Sequence, residues 1–220
     1  MKKVFAFAAA IVLFAGIANA QIGINAGYAT QNYYSTYTNG NTNYNDTIMM
    51  SGFFVGGNYN LNLTGDINLF VGLQLRYNTY SDSASGTIYG LANGKVKRND
   101  EQMLIDVPIL VNYGFNLTDD LKLSVFAGPT ISYALSGKTT VTSSGNVLFL
   151  SGSSTDEINW YNADEGNMSP LDVSFTLGLN FDYKGFRLFG GFNMGMMNLS
   201  KEDKTTMKGN NLFVGIGYAL

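Results

Sequence analysis

Residues 171–183 alternate strictly in character. Leu171, Val173, Phe175, Leu177, Leu179, Phe181 and Tyr183 are apolar, and Asp172, Ser174, Thr176, Gly178, Asn180 and Asp182 between them are polar or small. A period of two fits a β-strand with one apolar face, not the 3.6-residue period of an amphipathic helix. The stretch is 13 residues long, and a tilted strand needs roughly 9–11 to cross a bilayer. The pattern recurs in Leu69, Val71, Leu73, Leu75 and Tyr77 against Phe70, Gly72, Gln74, Arg76 and Asn78. It recurs again in Leu121, Leu123, Val125 and Ala127 against Lys122, Ser124, Phe126 and Gly128.

Eight such segments can be marked: 22–34, 50–61, 67–80, 103–115, 121–135, 170–183, 186–199 and 207–220. An even number suits a closed antiparallel barrel. The connections alternate in length, with long polar stretches at 35–49, 81–102, 136–169 and 200–206 and short turns at 62–66, 116–120 and 184–185. The expected fold is therefore all-β: an eight-stranded antiparallel up-and-down transmembrane β-barrel with long extracellular loops and short periplasmic turns.

The Lys184-Gly185 turn sets a register by itself. A two-residue hairpin loop places Tyr183 opposite Phe186, then Asp182 opposite Arg187, Gly178 opposite Gly191, Leu177 opposite Phe192 and Thr176 opposite Asn193. Polar and small residues then share one face and apolar residues the other. Pro170 sits at a strand start, but Pro108 and Pro129 fall inside strands, where a missing N–H predicts a bulge or local kink.

The N-terminus carries a different signal. Lys2-Lys3 precedes an apolar run from Val4 to Ile17 and then Ala18-Asn19-Ala20, the small-x-small pattern of a secretory signal peptide cleaved between Ala20 and Gln21. The run of 14 residues is short of the roughly 20 that a transmembrane helix needs. This divides the chain into a signal at 1–20 and one barrel domain at 21–220. The signal holds two of the 13 basic residues and none of the 16 acidic ones, leaving 11 against 16 and a net charge of −5, which disfavours nucleic acid as a partner.

Alternation alone does not say whether the apolar face points inward, as in a soluble lipocalin-like barrel, or outward into lipid. The polar face decides it. A water-facing surface would be rich in Lys and Glu, but this one is mostly Gly, Ser, Thr and Asn with six charges: Arg76, Lys122 and Arg187 against Asp106, Asp172 and Asp182. Three against three reads as an enclosed barrel-interior network, with Arg76 paired to Asp106 and Arg187 to Asp182. Aromatic residues on the apolar face gather near the strand ends as interfacial girdles do, with Tyr59, Tyr113, Phe115, Phe181, Tyr183, Phe186 and Tyr218 at one end and Phe53, Tyr77 and Tyr133 at the other. The expected location is the outer membrane of a Gram-negative bacterium, with the lipid bilayer as the first partner.

Two segments carry a likeness to a known family: Asp106-Val107-Pro108-Ile109-Leu110-Val111-Asn112-Tyr113 and Phe126-Ala127-Gly128-Pro129-Thr130-Ile131-Ser132-Tyr133, with Gly215-Ile216-Gly217-Tyr218 at the end. The chain resembles the PorT-like outer-membrane β-barrel domains over essentially all of its mature length. The resemblance implies an integral outer-membrane barrel and, for the founding member, a part in protein secretion. It implies no active site. The last residue, Leu220, departs from the aromatic residue on which such strands commonly close.

Composition removes several chemistries. The chain has no histidine and no cysteine, so Ser-His-Asp and Cys-His catalysis, histidine-ligated metals and disulfides are excluded. The remaining candidate is a carboxylate pair, Asp156-Glu157 with Asp164-Glu165, flanking a Trp160-Tyr161 that could stack on a sugar; a solvated acidic loop is the plainer reading. No enzyme and no cofactor are expected. Eight strands leave an interior that side chains fill, here with Phe70, Phe126 and Phe189. Two function classes remain: a structural or interaction barrel whose loops meet an envelope or secretion partner, and a small-solute channel or ligand-binding barrel.

Overall fold

The computed structural model describes residues 20–39, 42–88, 92–147, 150–162 and 166–220. Except for Ala20, the expected signal lies outside the described residues. Nine strands follow in order: β1 (Ala20–Asn39), β2 (Thr42–Thr64), β3 (Ile67–Ile88), β4 (Ala92–Asn116), β5 (Leu121–Val147), β6 (Leu150–Asn159), β7 (Leu171–Tyr183), β8 (Phe186–Gly195) and β9 (Thr205–Ala219). All pairings are antiparallel, and the sheet order β4-β3-β2-β1-β9-β8-β7-β5-β6 is closed by a further β4–β5 pairing. Eight strands thus form an up-and-down ring, and β6 stands outside it, hydrogen-bonded among the described residues to β5 alone.

Closure gives every stave a hydrogen-bonded neighbour on both sides, which is the condition for placing a sheet in lipid. The side chains then sort inside out. Phe53, Val55, Leu177, Leu188, Leu212 and Ile216 lie on the outer surface, each more than half exposed, while Asn25, Gln31, Arg76, Asn78, Asp106, Thr176 and Asn180 are buried in the lumen. A water-soluble barrel would show the reverse. Tyr28, Phe53, Tyr77 and Tyr133 ring the outside toward the long-hairpin end, and Tyr113, Phe115, Phe181, Tyr183, Phe186 and Tyr218 ring it toward the short-turn end.

The turns at the second end are short because their residues tolerate positive φ. Lys184 and Gly185 have φ of 49° and 86°, the type I′ combination whose twist matches that of paired strands. The register beyond it is Tyr183↔Phe186, Asp182↔Arg187, Gly178↔Gly191, Leu177↔Phe192 and Thr176↔Asn193.

Two sequence expectations are corrected. The stretches 35–49, 81–102 and 136–159 are largely strand rather than loop, carrying the hairpins beyond the ring through pairs such as Ile88↔Ala92, Ala92↔Val147 and Val147↔Leu150. Their Ser, Thr, Gly and Asn residues give no apolar face and hence no period-two signal, yet each backbone group on the paired sides finds a ladder partner. The prolines introduce no bulge either. The ladder skips Gly72 and Leu73 opposite Val107 and Pro108, and Ile109 and Leu110 opposite Gly128 and Pro129, with the register unchanged on both sides. A proline deletes a donor without adding a residue, so it interrupts pairing without shifting it. The register shifts lie at Asn62/Thr64 and Met103/Leu104, where Leu63 and Leu135 are the extra residues.

Candidate functional site

The lumen is filled in layers. Across β2, β1, β9 and β8 the register aligns Phe54, Gly27, Gly215 and Phe189, and across β5, β7, β8 and β9 it aligns Phe126, Gly178, Gly191 and Phe213. Each phenylalanine lies over an inward-facing glycine on the next strand. A Cβ on Gly215 would stand 2.5 Å from Phe189 Cζ and 2.9 Å from Phe54 Cζ, and one on Gly191 would stand 2.8 Å from Phe213 Cζ. The rings meet in the middle, with centroids of Phe213 at 6.3–6.4 Å from those of Phe54, Phe126 and Phe189. Phe126 is buried, as expected of a lumen plug, and Phe70 lines the cavity; Phe54 and Phe213 were not anticipated.

A polar layer lies toward the long hairpins. Arg76 grips Asp106 with Nε 2.9 Å from Oδ2 and Nη2 donating to Oδ1 at 3.2 Å, and its Nη1 donates to Gln31 Oε1 at 2.7 Å. Arginine and aspartate are each 4% exposed, so the pair is enclosed, with one hydrogen bond from Nη2 beside the close Nε–Oδ2 approach. Toward the other end, Arg187 Nε donates to Asp182 Oδ1 at 2.6 Å, with side chains 21% and 25% exposed. Lys122 and Asp172 join neither pair: Lys122 drapes its aliphatic stem over Gly114, and the buried Asp172 Oδ1 has no hydrogen-bond partner. Between the layers remains a cavity of about 60 Å³.

The mouth is capped. After β6 the chain folds Trp160 and Tyr161 back onto the ring, with Trp160 N–H donating to Gly137 O at 2.9 Å. Gln102 Nε2 donates to both Tyr33 Oη and Tyr161 Oη at 2.6 Å. Trp160 Nε1 donates to Thr139 Oγ1 at 2.9 Å, Thr139 donates onward to Asp100 Oδ1 at 2.7 Å, and Arg98 holds the same carboxylate. An apolar cluster of Tyr33, Met50 and Leu199, packed by Ile48, Trp160, Met168 and Met207, seals the space beside this chain of hydrogen bonds.

A closed antiparallel ring, apolar outside and polar inside with girdles at both ends, is a membrane barrel. Residues 14–201 match the family described as outer membrane protein beta-barrel domain. The chain belongs to that family. Its location is accordingly the outer membrane. No curated protein matches it. Solved structures that align with it include Ail of Yersinia pestis bound to the heparin analogue sucrose octasulfate, at 13% identity over 92% of this chain and 99% of that one, TM-score 0.36. Neisserial surface protein A aligns at 11% identity over 91% and 98%, TM-score 0.37, and the outer membrane protease OmpT of Escherichia coli at 9% over 92% and 97%, TM-score 0.38.

In this outer-membrane barrel the sugar-stacking reading of Trp160-Tyr161 fails, because both rings pack on Gly137 at the mouth. Asp156 and Glu157 are neighbours on β6 and point to opposite faces of the sheet, so they cannot act on one substrate as acid and base; Asp164-Glu165 lies outside the described residues. Ala20 and Gln21 occupy the first two positions of β1, opposite Leu61 and Asn60. Gln102, Asp100 and Thr139 were missed because they fall in stretches read as loop. The signal that could have found them is the single tryptophan, an aromatic in a polar stretch that needs burial.

That tryptophan reports on the cap. Burial pushes the Tyr161 hydroxyl up to about 12, above an unfolded-state value of roughly 10. A raised folded value means the contribution of this contact is complete below about pH 10 and fades as pH climbs toward 12. Trp160 emission should therefore stay blue-shifted and poorly quenched by acrylamide to about pH 10. Gln102→Leu, which removes the donor that both tyrosine hydroxyls share, should shift emission to the red at neutral pH; unchanged quenching in that variant would show that the Gln102 bonds do not hold the cap.

Proposed function

We propose that this barrel is a non-enzymatic anchor, exported by its first twenty residues, that holds its extended hairpins outside the cell as an interaction surface rather than serving as a conduit. The observation that carries this reading is the doubly closed lumen: phenylalanine rows and the Arg76 layer fill the interior, and the Trp160-Tyr161 cap covers the mouth. The folded sheet meanwhile continues past the mouth on β3, β4, β5 and β6. The resemblance to PorT-like domains supports a partner in protein secretion or envelope assembly. Planar-bilayer recording on the purified barrel tests the reading. No discrete conductance steps are expected at neutral pH. Steady channel openings would favour the alternative, a small-solute channel, and would assign the cap as its gate.

A further inference from the structure

Beyond the ring, β3 to β6 form a sheet whose last strand uses only one of its sides. β6 pairs with β5 from Val147↔Leu150 to Lys138↔Asn159, and no described residue pairs with its other edge. The Trp160 N–H to Gly137 O bond fixes the phase of this ladder. In an antiparallel pair bonded and non-bonded positions alternate. Positions 158, 156, 154, 152 and 150 therefore bond to β5, and Ser151, Ser153, Thr155, Glu157 and Asn159 turn their N–H and C=O groups to the free edge. Natural edges are usually blunted by proline, lysine or a bulge. This one has no proline, lysine or bulge, and its charges are confined to Asp156 and Glu157 near one end: its sequence is LSGSSTDEIN, and its pairing is continuous. Positions 151–159 are exposed throughout, and Ser151-Gly152-Ser153-Ser154 offers nothing bulky to an approaching backbone.

We propose that β6 accepts an extended segment of a partner polypeptide as an additional strand, with a basic side chain set against Asp156. The proposal rests on the interaction reading above and names its site. Asp156 makes no ion pair among the described residues, whereas its neighbour Glu157 is held by Lys138 at 3.2 Å. A second copy of this chain is the wrong occupant. Two barrels in one membrane stand in the same orientation, so their β6 strands would run the same way, in the weaker parallel pairing, and bring two Asp156-Glu157 pairs side by side. A separate polypeptide is free to run antiparallel.

The test uses the full-length barrel in nanodiscs and a fluorescent ten-residue peptide with the sequence of Lys138–Val147, which already pairs with β6 in the fold. Anisotropy should show saturable binding. A Ser153→Pro/Thr155→Pro barrel loses two free-edge donors and no bond to β5, and should bind about tenfold more weakly or not at all. Unchanged Trp160 emission will show that this variant is folded. A peptide N-methylated at alternate amides should not bind. A peptide carrying Val141→Lys, the position that faces Asp156 in the existing pairing, should bind more tightly, and Asp156→Asn should remove that gain. Absence of binding to the wild-type barrel, or equal binding to the proline variant, overturns the proposal. So does a Ser153→Cys barrel that forms disulfide dimers in native membranes, since that places a second copy on the edge. A silent bilayer recording with no peptide binding overturns this site alone, whereas channel openings overturn the anchor reading itself.

Discussion

Arg76→Ala is expected to destabilise the folded barrel by about 3–5 kcal/mol, because it leaves Asp106 charged, enclosed and without its partner. The side chains of the pair are 5% and 6% exposed, and Arg76 also supplies the hydrogen bond to Gln31 Oε1. Both side chains line a residual cavity of only about 60 Å³. The check is the urea midpoint for unfolding from lipid vesicles, followed by loss of the heat-sensitive folded band. Replacing both partners, Arg76→Met with Asp106→Leu, should recover most of the loss, since a buried pair is often matched by apolar residues of similar volume. Arg187→Ala offers the contrast: its pair with Asp182 is 21% and 25% exposed, water reaches it, and the loss should be distinctly smaller. Equal midpoints for Arg76→Ala and wild type would mean that the Arg76 layer is solvated.

Phe54→Ala should cost a similar amount, about 3–5 kcal/mol, through the cavity left when a buried ring is removed. Phe54 is 5% exposed and touches Phe189 and Phe213 at centroid distances of 6.0 and 6.4 Å. The reciprocal change, Gly215→Val, overpacks the same spot and should cost about 1–3 kcal/mol, because its Cβ enters the space of two rings. Combining them is the sharper experiment. Valine methyls would occupy part of the volume vacated by Phe54, so the double variant should lose less than the two singles together. Recovery should be partial, since Phe189 Cζ and Ala26 O would still stand 2.5 and 2.8 Å from the new Cβ. Additive losses would show that Phe54 and Gly215 are not a matched pair.

The staves were legible because lipid on one side and a polar lumen on the other impose alternation, as in Leu171–Tyr183. The Lys184-Gly185 turn then carried a register, since a two-residue loop leaves no slack. The ion-pair partners followed from that turn and from parity along adjacent staves. What alternation cannot carry is any segment with the same solvent on both faces. Residues 81–88, 92–102, 136–147 and 150–159 are strands without an apolar face, and propensity alone reads Ser-Gly-Ser-Ser as loop. Their pairing depends on partners distant in sequence.

The lumen shows the same division. That Phe126 and Phe189 point inward was readable from parity; that Phe54 and Phe213 meet them over Gly27, Gly178, Gly191 and Gly215 required the register of six strands at once. The sequence by itself determined an outer-membrane barrel of eight staves, the direction each stave faces and the absence of histidine and cysteine chemistry, because these follow from local period and composition. Only the tertiary structure decided that the mouth is capped by Trp160-Tyr161 and that a ninth strand has one edge unpaired among the described residues, because both depend on which distant segments close on one another, and chain entropy hides that from any local pattern.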